Sequence, residues 1–348
     1  MLPITVMKNL ALGRKLVYVH IGITHRCPFR CRMCSVWKTA DMDSEIPLSR
    51  YPEVAGKLAR LGAAAVSLGG GEPFVRKDLP EIVRSFIAAG VRPRVLTNGI
   101  TPEPADFQSV IDVGLRDISI SFDTLKPQVQ ADIYDGKDVW PKLKRNLDWL
   151  SSAVDKRNLF VLLNTVVSGL NTSELPDLVT FAAERSFHIS FVPLELASTP
   201  DEDDSFAAFA PDMALSNGQH RTITESFERL IDMKRNGKPV FNSTTFLTLC
   251  SAYLRGRKVE WPCRAGQLFL SIDPTGKASF CHAAEPFGSV LDSDFEDRFK
   301  SAAVQEEALR FRKNCHGCLR PCWVEPTLAV HHPQSAWEQI QSIFLRRW

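Results

Sequence analysis

The chain has almost no net charge: 42 Lys and Arg stand against 40 Asp and Glu in 348 residues, a formal +2. That balance excludes a nucleic-acid backbone or an anionic membrane as the main partner, since both select a strongly basic face. Long hydrophobic runs are missing as well. None approaches the roughly 18 apolar residues of a spanning helix. The N-terminal segment carries Lys8, Arg14 and Lys15, with neither a continuous apolar core nor a small-residue cleavage site. There is no low-complexity tract, and no internal repeat beyond an alternation of strand and helix patterns. At 44% hydrophobic and 24% charged, the composition is globular rather than disordered. The expectation is a soluble cytoplasmic protein with no nucleic-acid and no membrane partner.

What the chain does have is nine cysteines: Cys27, Cys31, Cys34, Cys250, Cys263, Cys281, Cys315, Cys318 and Cys322. An odd number in a chain of this length argues against a disulfide framework and for a reducing compartment.

From Lys15 to Glu195, short β-branched or aliphatic runs alternate with helical patterns, the sign of βα units around a parallel sheet. The strand runs are KLVYVHIGI, AAAVSLG, RPRVLTNG, LRDISISFD, NLFVLLNTVV and HISFVPLE. Between them the spacing predicts a helix with Ser49 as N-cap and Gly62 as its stop, then helices over 79–89, 105–113, 139–150 and 173–185. Six such strands are too few to close an eight-stranded barrel. The fold class expected is α/β, a partial (β/α)6 barrel followed by a small cysteine-rich C-terminal domain. The boundaries read as an N-terminal extension over 1–14, the barrel over 15–196, a linker and helix over 197–250, and the C-terminal domain with a terminal helix over 251–348. In the linker, Asp201, Glu202, Asp203 and Asp204 form either a solvated loop or a contact for a cationic substrate. A helix is expected from Thr222, with Glu225 as its capping-box partner, to Gly237.

Cys27, Cys31 and Cys34 form C-x-x-x-C-x-x-C directly after the first strand. Soft thiolates clustered on one loop suit an iron-sulfur cluster or zinc. A closed zinc site takes four ligands, whereas three thiolates on a cubane leave one iron open. The other motifs fall at strand ends, where the sites of parallel sheets collect. Gly69, Gly70, Gly71, Glu72 and Pro73 follow the second strand, and glycine permits close backbone approach. Leu96, Thr97, Asn98 and Gly99 end the third. Ser119, Ser121 and Asp123 alternate along the fourth and so share a face. Asn164 and Thr165 interrupt an apolar fifth strand, where a buried Asn needs a partner. Glu195 ends the sixth and faces either substrate or solvent.

Together these motifs resemble the radical SAM superfamily over roughly residues 15–196, with Met33 at the apolar position before the last cysteine. The resemblance implies a 4Fe-4S cluster on Cys27, Cys31 and Cys34 whose open iron binds the amino and carboxylate groups of S-adenosylmethionine. It implies contacts to that cofactor from Met33, Gly70, Gly71, Glu72, Ser121, Asp123 and Asn164. Glu72 would meet the methionine ammonium, and Ser121 and Asp123 the carboxylate or the ribose hydroxyls. It also implies a reducing partner such as flavodoxin or ferredoxin, a 5′-deoxyadenosyl radical, and removal of a hydrogen atom from substrate.

Cys263 and Cys281 frame C-x12-G-x4-C around the turn DPTG, in which Pro274 fixes φ and Gly276 relieves strain. Cys315, Cys318 and Cys322 follow as C-x-x-C-x-x-x-C. This set resembles the twitch and SPASM auxiliary-cluster domains, although a full SPASM domain carries more than these five cysteines. The resemblance implies one auxiliary 4Fe-4S cluster with four ligands from Cys263, Cys281, Cys315, Cys318 and Cys322. The spare is left open among the last three, and zinc is the alternative. Cys250, in TTFLTLCSAYL, fits neither pattern. It is either a buried inert thiol or, by resemblance to radical SAM epimerases, a hydrogen-atom donor.

The function expected is that of a radical SAM epimerase acting on a small sugar- or aminoglycoside-like substrate, with Cys250 as catalytic donor. A twitch-type alcohol dehydrogenase, using the auxiliary cluster as electron acceptor, is the first alternative, and a peptide-modifying enzyme the second. With fourteen residues ahead of the first strand, neither a leader-binding module nor a cobalamin domain is expected. A zinc-binding scaffold is the reading from a different class.

Overall fold

Apolar runs bounded by turn residues build β1 (Tyr18–Thr24), β2 (Ala65–Gly70), β3 (Arg92–Thr97), β4 (Asp117–Ser121), β5 (Phe160–Val167) and β6 (His188–Pro193). Each pairs in parallel with the next in chain order. The structure is a computed structural model that describes residues 16–38, 44–195, 210–315 and 317–344. The N-terminal extension and the acids at 201–204 lie outside the described residues.

Helices cover the outer face: α1 (Tyr51–Leu61), α2 (Leu79–Ala88), α3 (Pro104–Asp112), α4 (Pro127–Ile133), α5 (Trp140–Arg157) and α6 (Leu175–Ala183). In α1, Val54, Ala55, Leu58 and Leu61 form the buried stripe, and Gly62 ends the helix at φ 106°. Its start differs from expectation. Ser49 lies in a preceding 3-10 turn and Arg50 holds the cap position. Each of these six helices carries a proline in its first turn, where the missing N–H costs nothing and φ is already helical. Similarly, α7 (His220–Arg235) begins before Thr222, and the capping box is formed one turn earlier by Ser216 and Gln219.

The sheet does not stop at β1. β7 (Phe269–Ile272) pairs in parallel with it, Tyr18 opposite Phe269 and Ile21 opposite Ile272. β8 (Lys277–Ser279) and β9 (Pro286–Ser289) then add antiparallel, giving the order β6-β5-β4-β3-β2-β1-β7-β8-β9. The DPTG turn forms as expected, with the Gly276 N–H donating to the Asp273 carbonyl at 3.0 Å. The cysteine-rich segment is therefore hydrogen-bonded into the barrel sheet. On the other edge, α8 (Thr244–Leu254) packs on β6 and α7. The chain continues through α9 (Phe295–Lys300), α10 (Ala302–Asn314), α11 (Pro321–His331) and α12 (Pro333–Phe344). No described helix is long and apolar enough to cross a membrane.

Candidate active site

A cavity of 540 Å³ runs down the inside of the sheet. Cys27, Cys31, Cys34 and Glu72 line it at the C-terminal ends of the strands, and Tyr18, Arg94 and Asp117 at the opposite end. The period of two puts them there: Asp117, Ser119, Ser121 and Asp123 all reach the cavity, while Ile118, Ile120 and Phe122 between them are buried in the core.

Two loops are locked together at the cysteine end. The Gly71 N–H donates to the Thr24 carbonyl at 2.7 Å, and the Glu72 N–H to the Arg26 carbonyl at 2.9 Å. A Cβ on Gly71 would lie 2.3 Å from the Arg26 carbonyl oxygen; one on Gly70, at φ 104°, would lie 2.4 Å from that of Thr24. Besides lining the cavity, these glycines let the loop after β2 dock on the loop that carries the cysteines.

Glu72 is 1% exposed. Its carboxylate accepts from Thr97 Oγ1 at 2.9 Å, the Asn98 N–H at 2.8 Å and the Phe74 N–H at 3.1 Å, which explains the LTNG motif as its cradle. Burial raises this carboxyl to about 7, against the pull of those donors. Asp123 is also 1% exposed. Its Oδ1 accepts from the Val166 N–H at 2.8 Å, its Oδ2 has no partner, and burial raises it to about 7. Asn164 donates from Nδ2 to Ser119 Oγ at 2.8 Å, while Ser121 and Met33 complete this part of the wall. Thr165 instead binds the Phe122 carbonyl at 2.7 Å, which is a structural role.

The Asp123 shift has a sign that can be checked. A carboxyl whose folded value rises from 3.8 to about 7 favours the folded state while protonated, and that contribution is lost as the pH climbs through about 7. In the apoprotein, Asp123→Asn should therefore gain stability relative to wild type between pH 4 and 8, by up to about 4 kcal/mol. Denaturant unfolding at several pH values reads the difference. A gap that does not change with pH would show Asp123 to be solvated.

The cysteines fall into distinct environments. Burial pushes the Cys27 thiol up to about 11 and Cys31 higher still, with Cys34 and Cys27 adding to the latter; burial raises Cys34 as well. Thiols so reluctant to ionise become thiolates here when a cation compensates them. Burial likewise raises Cys263, with Cys315 adding, and raises Cys281 to about 12, with Cys263 and Cys315 adding. Burial also raises Cys318, with Glu195 and Cys281 adding. These four sense one another. Cys322 lines the barrel cavity. Among the described residues, no three His, Cys, Asp or Glu converge on one metal ion.

Cys250 does not line the cavity. It sits on α8 with no exposed surface, packed in the main core and away from the cavity wall, and its thiol is raised by burial alone. A thiol sealed in this way has no route to a substrate in the cavity. Glu195 does line the cavity, but its carboxylate accepts the Leu319 N–H at 3.2 Å and the Arg320 guanidinium, fastening the cysteine-rich segment to the end of β6.

Sequence reasoning missed the inner wall. His20 Nδ1 lies 2.8 Å from Ser67 Oγ, and burial lowers its imidazole to about 4, so it is neutral at pH 7. Arg94 donates to both oxygens of Asp117, at 2.6 and 3.2 Å, with its guanidinium over the rings of Phe160 and Phe241. The signal was present: Tyr18 and His20, then Arg92 and Arg94, are polar residues at alternate positions of otherwise apolar strands.

Residues 21–182 match the Radical SAM superfamily. That segment is similar to radical SAM domains. Among curated relatives, a GTP 3′,8-cyclase of Marinobacter nauticus is 32% identical over 183 residues, 52% of this chain and 54% of that protein. A PqqA peptide cyclase of Bradyrhizobium diazoefficiens is 28% identical over 284 residues, 80% of this chain and 69% of that protein. The chain thus spans about half the length of the first relative. Among solved structures, Streptococcus suis SuiB bound to S-adenosylmethionine superposes with a TM-score of 0.63 at 12% identity, covering 88% of this chain and 71% of that one. The structure of anSMEcpe with bound AdoMet gives 0.59 at 14% identity, over 95% and 94%. These likenesses show that the chain shares a fold with those structures.

Proposed function

We propose that the chain cleaves S-adenosylmethionine at a 4Fe-4S cluster on Cys27, Cys31 and Cys34 and removes a hydrogen atom from a small polar substrate inside the barrel. The observation that carries this reading is one cavity holding three thiols and two buried carboxyls at the ends of parallel strands. When bound, the cluster and cofactor supply a 5′-deoxyadenosyl radical. The chain's own residues bind and shield. Asp123 Oδ2 is a buried acceptor without a donor, suited to a ribose hydroxyl or an ammonium. Glu72, held rigid by three donors, faces the methionine ammonium, whose positive charge would favour its ionised form. Met33, Ser121 and Asn164 complete the cofactor side. The latch from Glu195 to Leu319 and Arg320 holds the cysteine-rich segment at the cavity wall, where it excludes water from a reactive intermediate.

The inner wall of His20, Arg94, Asp117 and Ser119 suits a hydroxyl- or amine-bearing molecule. Beside a nucleoside-sized cofactor, a cavity of 540 Å³ leaves room for a small substrate or one side chain. Cys263, Cys281, Cys315 and Cys318 would hold the auxiliary 4Fe-4S cluster, and a flavodoxin- or ferredoxin-type protein would supply electrons. Within this frame an epimerase acting on a sugar-like substrate and a twitch-type dehydrogenase are the candidate small-molecule reactions. Peptide modification is supported by the similarity to a PqqA peptide cyclase. The test is anaerobic incubation with S-adenosylmethionine, a one-electron reductant and candidate amino sugars or peptides, following 5′-deoxyadenosine and product mass. An epimerase leaves the substrate mass unchanged, a dehydrogenase removes two hydrogens, and a protein that forms no 5′-deoxyadenosine contradicts the whole reading.

A further inference from the structure

The end of the cavity away from the cysteines has a charge cluster of its own. Arg92 and Arg94 alternate along β3 with the buried Pro93 and Val95, so both arginines line the cavity. Asp117, at the start of β4, lines it beside them. Arg94 binds Asp117 through Nε and Nη2, at 2.6 and 3.2 Å, and its guanidinium lies over the rings of Phe160 and Phe241 at 5.5 and 5.6 Å. Arg92 Nε stands 3.4 Å from Asp117 Oδ2, beyond the roughly 2.7–2.9 Å of a charge-assisted hydrogen bond. Among the described residues, no other carboxylate pairs with either arginine. Two guanidinium groups therefore share one carboxylate.

The remaining groups of the wall do not supply the missing negative charge. Glu195 is paired with Arg320. Glu325 accepts the Ser243 N–H at 2.7 Å and acts on the Lys234 ammonium, which does not line the cavity. His20 is neutral at pH 7, and burial keeps the Tyr18 phenol protonated. Glu72 and Asp123 belong to the cofactor end, and along β4 the usual rise puts Asp117 about 13 Å from Ser121. One positive charge is left over at this floor, inside a cavity where an unmatched charge is costly.

We propose that Arg92 and Arg94 form an oxyanion subsite at the floor of the cavity, and that the substrate carries a carboxylate or phosphate group that anchors it there. The proposal rests on the S-adenosylmethionine-cleaving reading for what occupies the cavity, and it narrows the chemical class of that occupant. Asp117 takes two donors of Arg94 and fixes the plane of its guanidinium. Nη1 of Arg94 and the terminal nitrogens of Arg92 are the donors that a second oxyanion meets, and a guanidinium fork matches the paired oxygens of either group. Strand register puts His20, Ser67 and Arg94 in one layer, with Tyr18 and Arg92 in the layer below. A substrate anchored at the floor extends past Ser119 towards the cofactor, so its acidic group is remote from the carbon that loses hydrogen. A uronic acid, a sugar phosphate or an acidic amino-acid side chain meets this description. A substrate whose only charge is an ammonium does not.

Titration calorimetry on the anaerobically reconstituted full chain, without S-adenosylmethionine, tests this. D-glucuronate, N-acetyl-L-glutamate and D-glucose 6-phosphate are the oxyanion probes, set against neutral D-glucose and cationic D-glucosamine. At least one oxyanion should bind on the order of ten-fold more tightly than both controls, as expected for one hydrogen bond to a charged group. Whether a carboxylate or the phosphate probe leads assigns the group that the site takes. Arg92→Gln should weaken the leading probe by a similar factor, and Arg221→Gln on the exposed face of α7 should leave it unchanged. Asp117→Asn should tighten it, because the competing carboxylate is gone, and a damaged fold does not produce such a gain. Binding by none of the oxyanions, tighter binding of glucose or glucosamine, or an oxyanion affinity that neither Arg92→Gln nor Asp117→Asn changes overturns the proposal. Oxyanion binding as expected with no 5′-deoxyadenosine formed means that the cleavage reading fails and the subsite stands; cleavage without oxyanion binding overturns the subsite alone.

Discussion

Alanine in place of Cys31 is expected to lower iron and sulfide from about eight atoms each to about four after anaerobic reconstitution, and to end S-adenosylmethionine cleavage. Burial raises the Cys31 thiol and both neighbouring cysteines of the triplet add to that, so it lies between Cys27 and Cys34 electrostatically as well as in sequence. A site left with two thiolates cannot hold a cubane in the way three can, and the remaining thiols would return to their protonated forms. The auxiliary iron should survive, because Cys263, Cys281 and Cys318 lie in or against a separate apolar cluster and Cys315 acts on Cys263 and Cys281. Iron counting and chromatography of 5′-deoxyadenosine measure both parts. Full iron with residual cleavage in Cys31→Ala would remove the triplet from its proposed role.

The second large effect is expected at Gly71. Alanine there would place Cβ 2.3 Å from the Arg26 carbonyl oxygen and 2.7 Å from its carbon, and neither atom can move without moving the cysteine loop. The two hydrogen bonds that join the loops, at 2.7 and 2.9 Å, would break together, and Glu72 would leave its cradle. The cost should be roughly 2–4 kcal/mol in the apoprotein. Cleavage should fall by on the order of 100-fold, since small misplacements of positioned groups have effects of that size. Gly56→Ala is the control: its Cβ would meet only the end of the Arg60 side chain, at 3.3 Å, inside helix α1, where alanine is the better helix former. Thermal melts and cleavage rates of the two variants give the comparison. Equal behaviour would mean that the docked loops do not matter.

Much of this site was legible because it is written with local rules. The period of two along ISISFD put Ser119, Ser121 and Asp123 on one face, and the cavity confirms that they share it. The parallel order of six strands followed from alternation with helices. Other features depend on pairings that no spacing encodes. Residues 269–272 add to the edge of β1 through a contact spanning most of the chain, so the continuity of the sheet could not be read from the DPTG turn alone. The start of α1 shifted because proline at the first turn, and not Ser49, sets it, and α7 starts before Thr222 behind the capping box of Ser216 and Gln219. In sequence Cys250 ends the segment between the barrel and the cysteine-rich domain, yet the apolar run around it closes into α8 and carries the thiol into the core. Cys322 was one of five similar cysteines in sequence, and only the fold places it at the cavity.

The most direct test of the central claim is the wild-type protein reconstituted with iron and sulfide under anaerobic conditions, then mixed with S-adenosylmethionine and dithionite. The account predicts a brown protein with about eight irons that converts S-adenosylmethionine to 5′-deoxyadenosine and methionine. A colourless protein that binds zinc and leaves S-adenosylmethionine intact would contradict it.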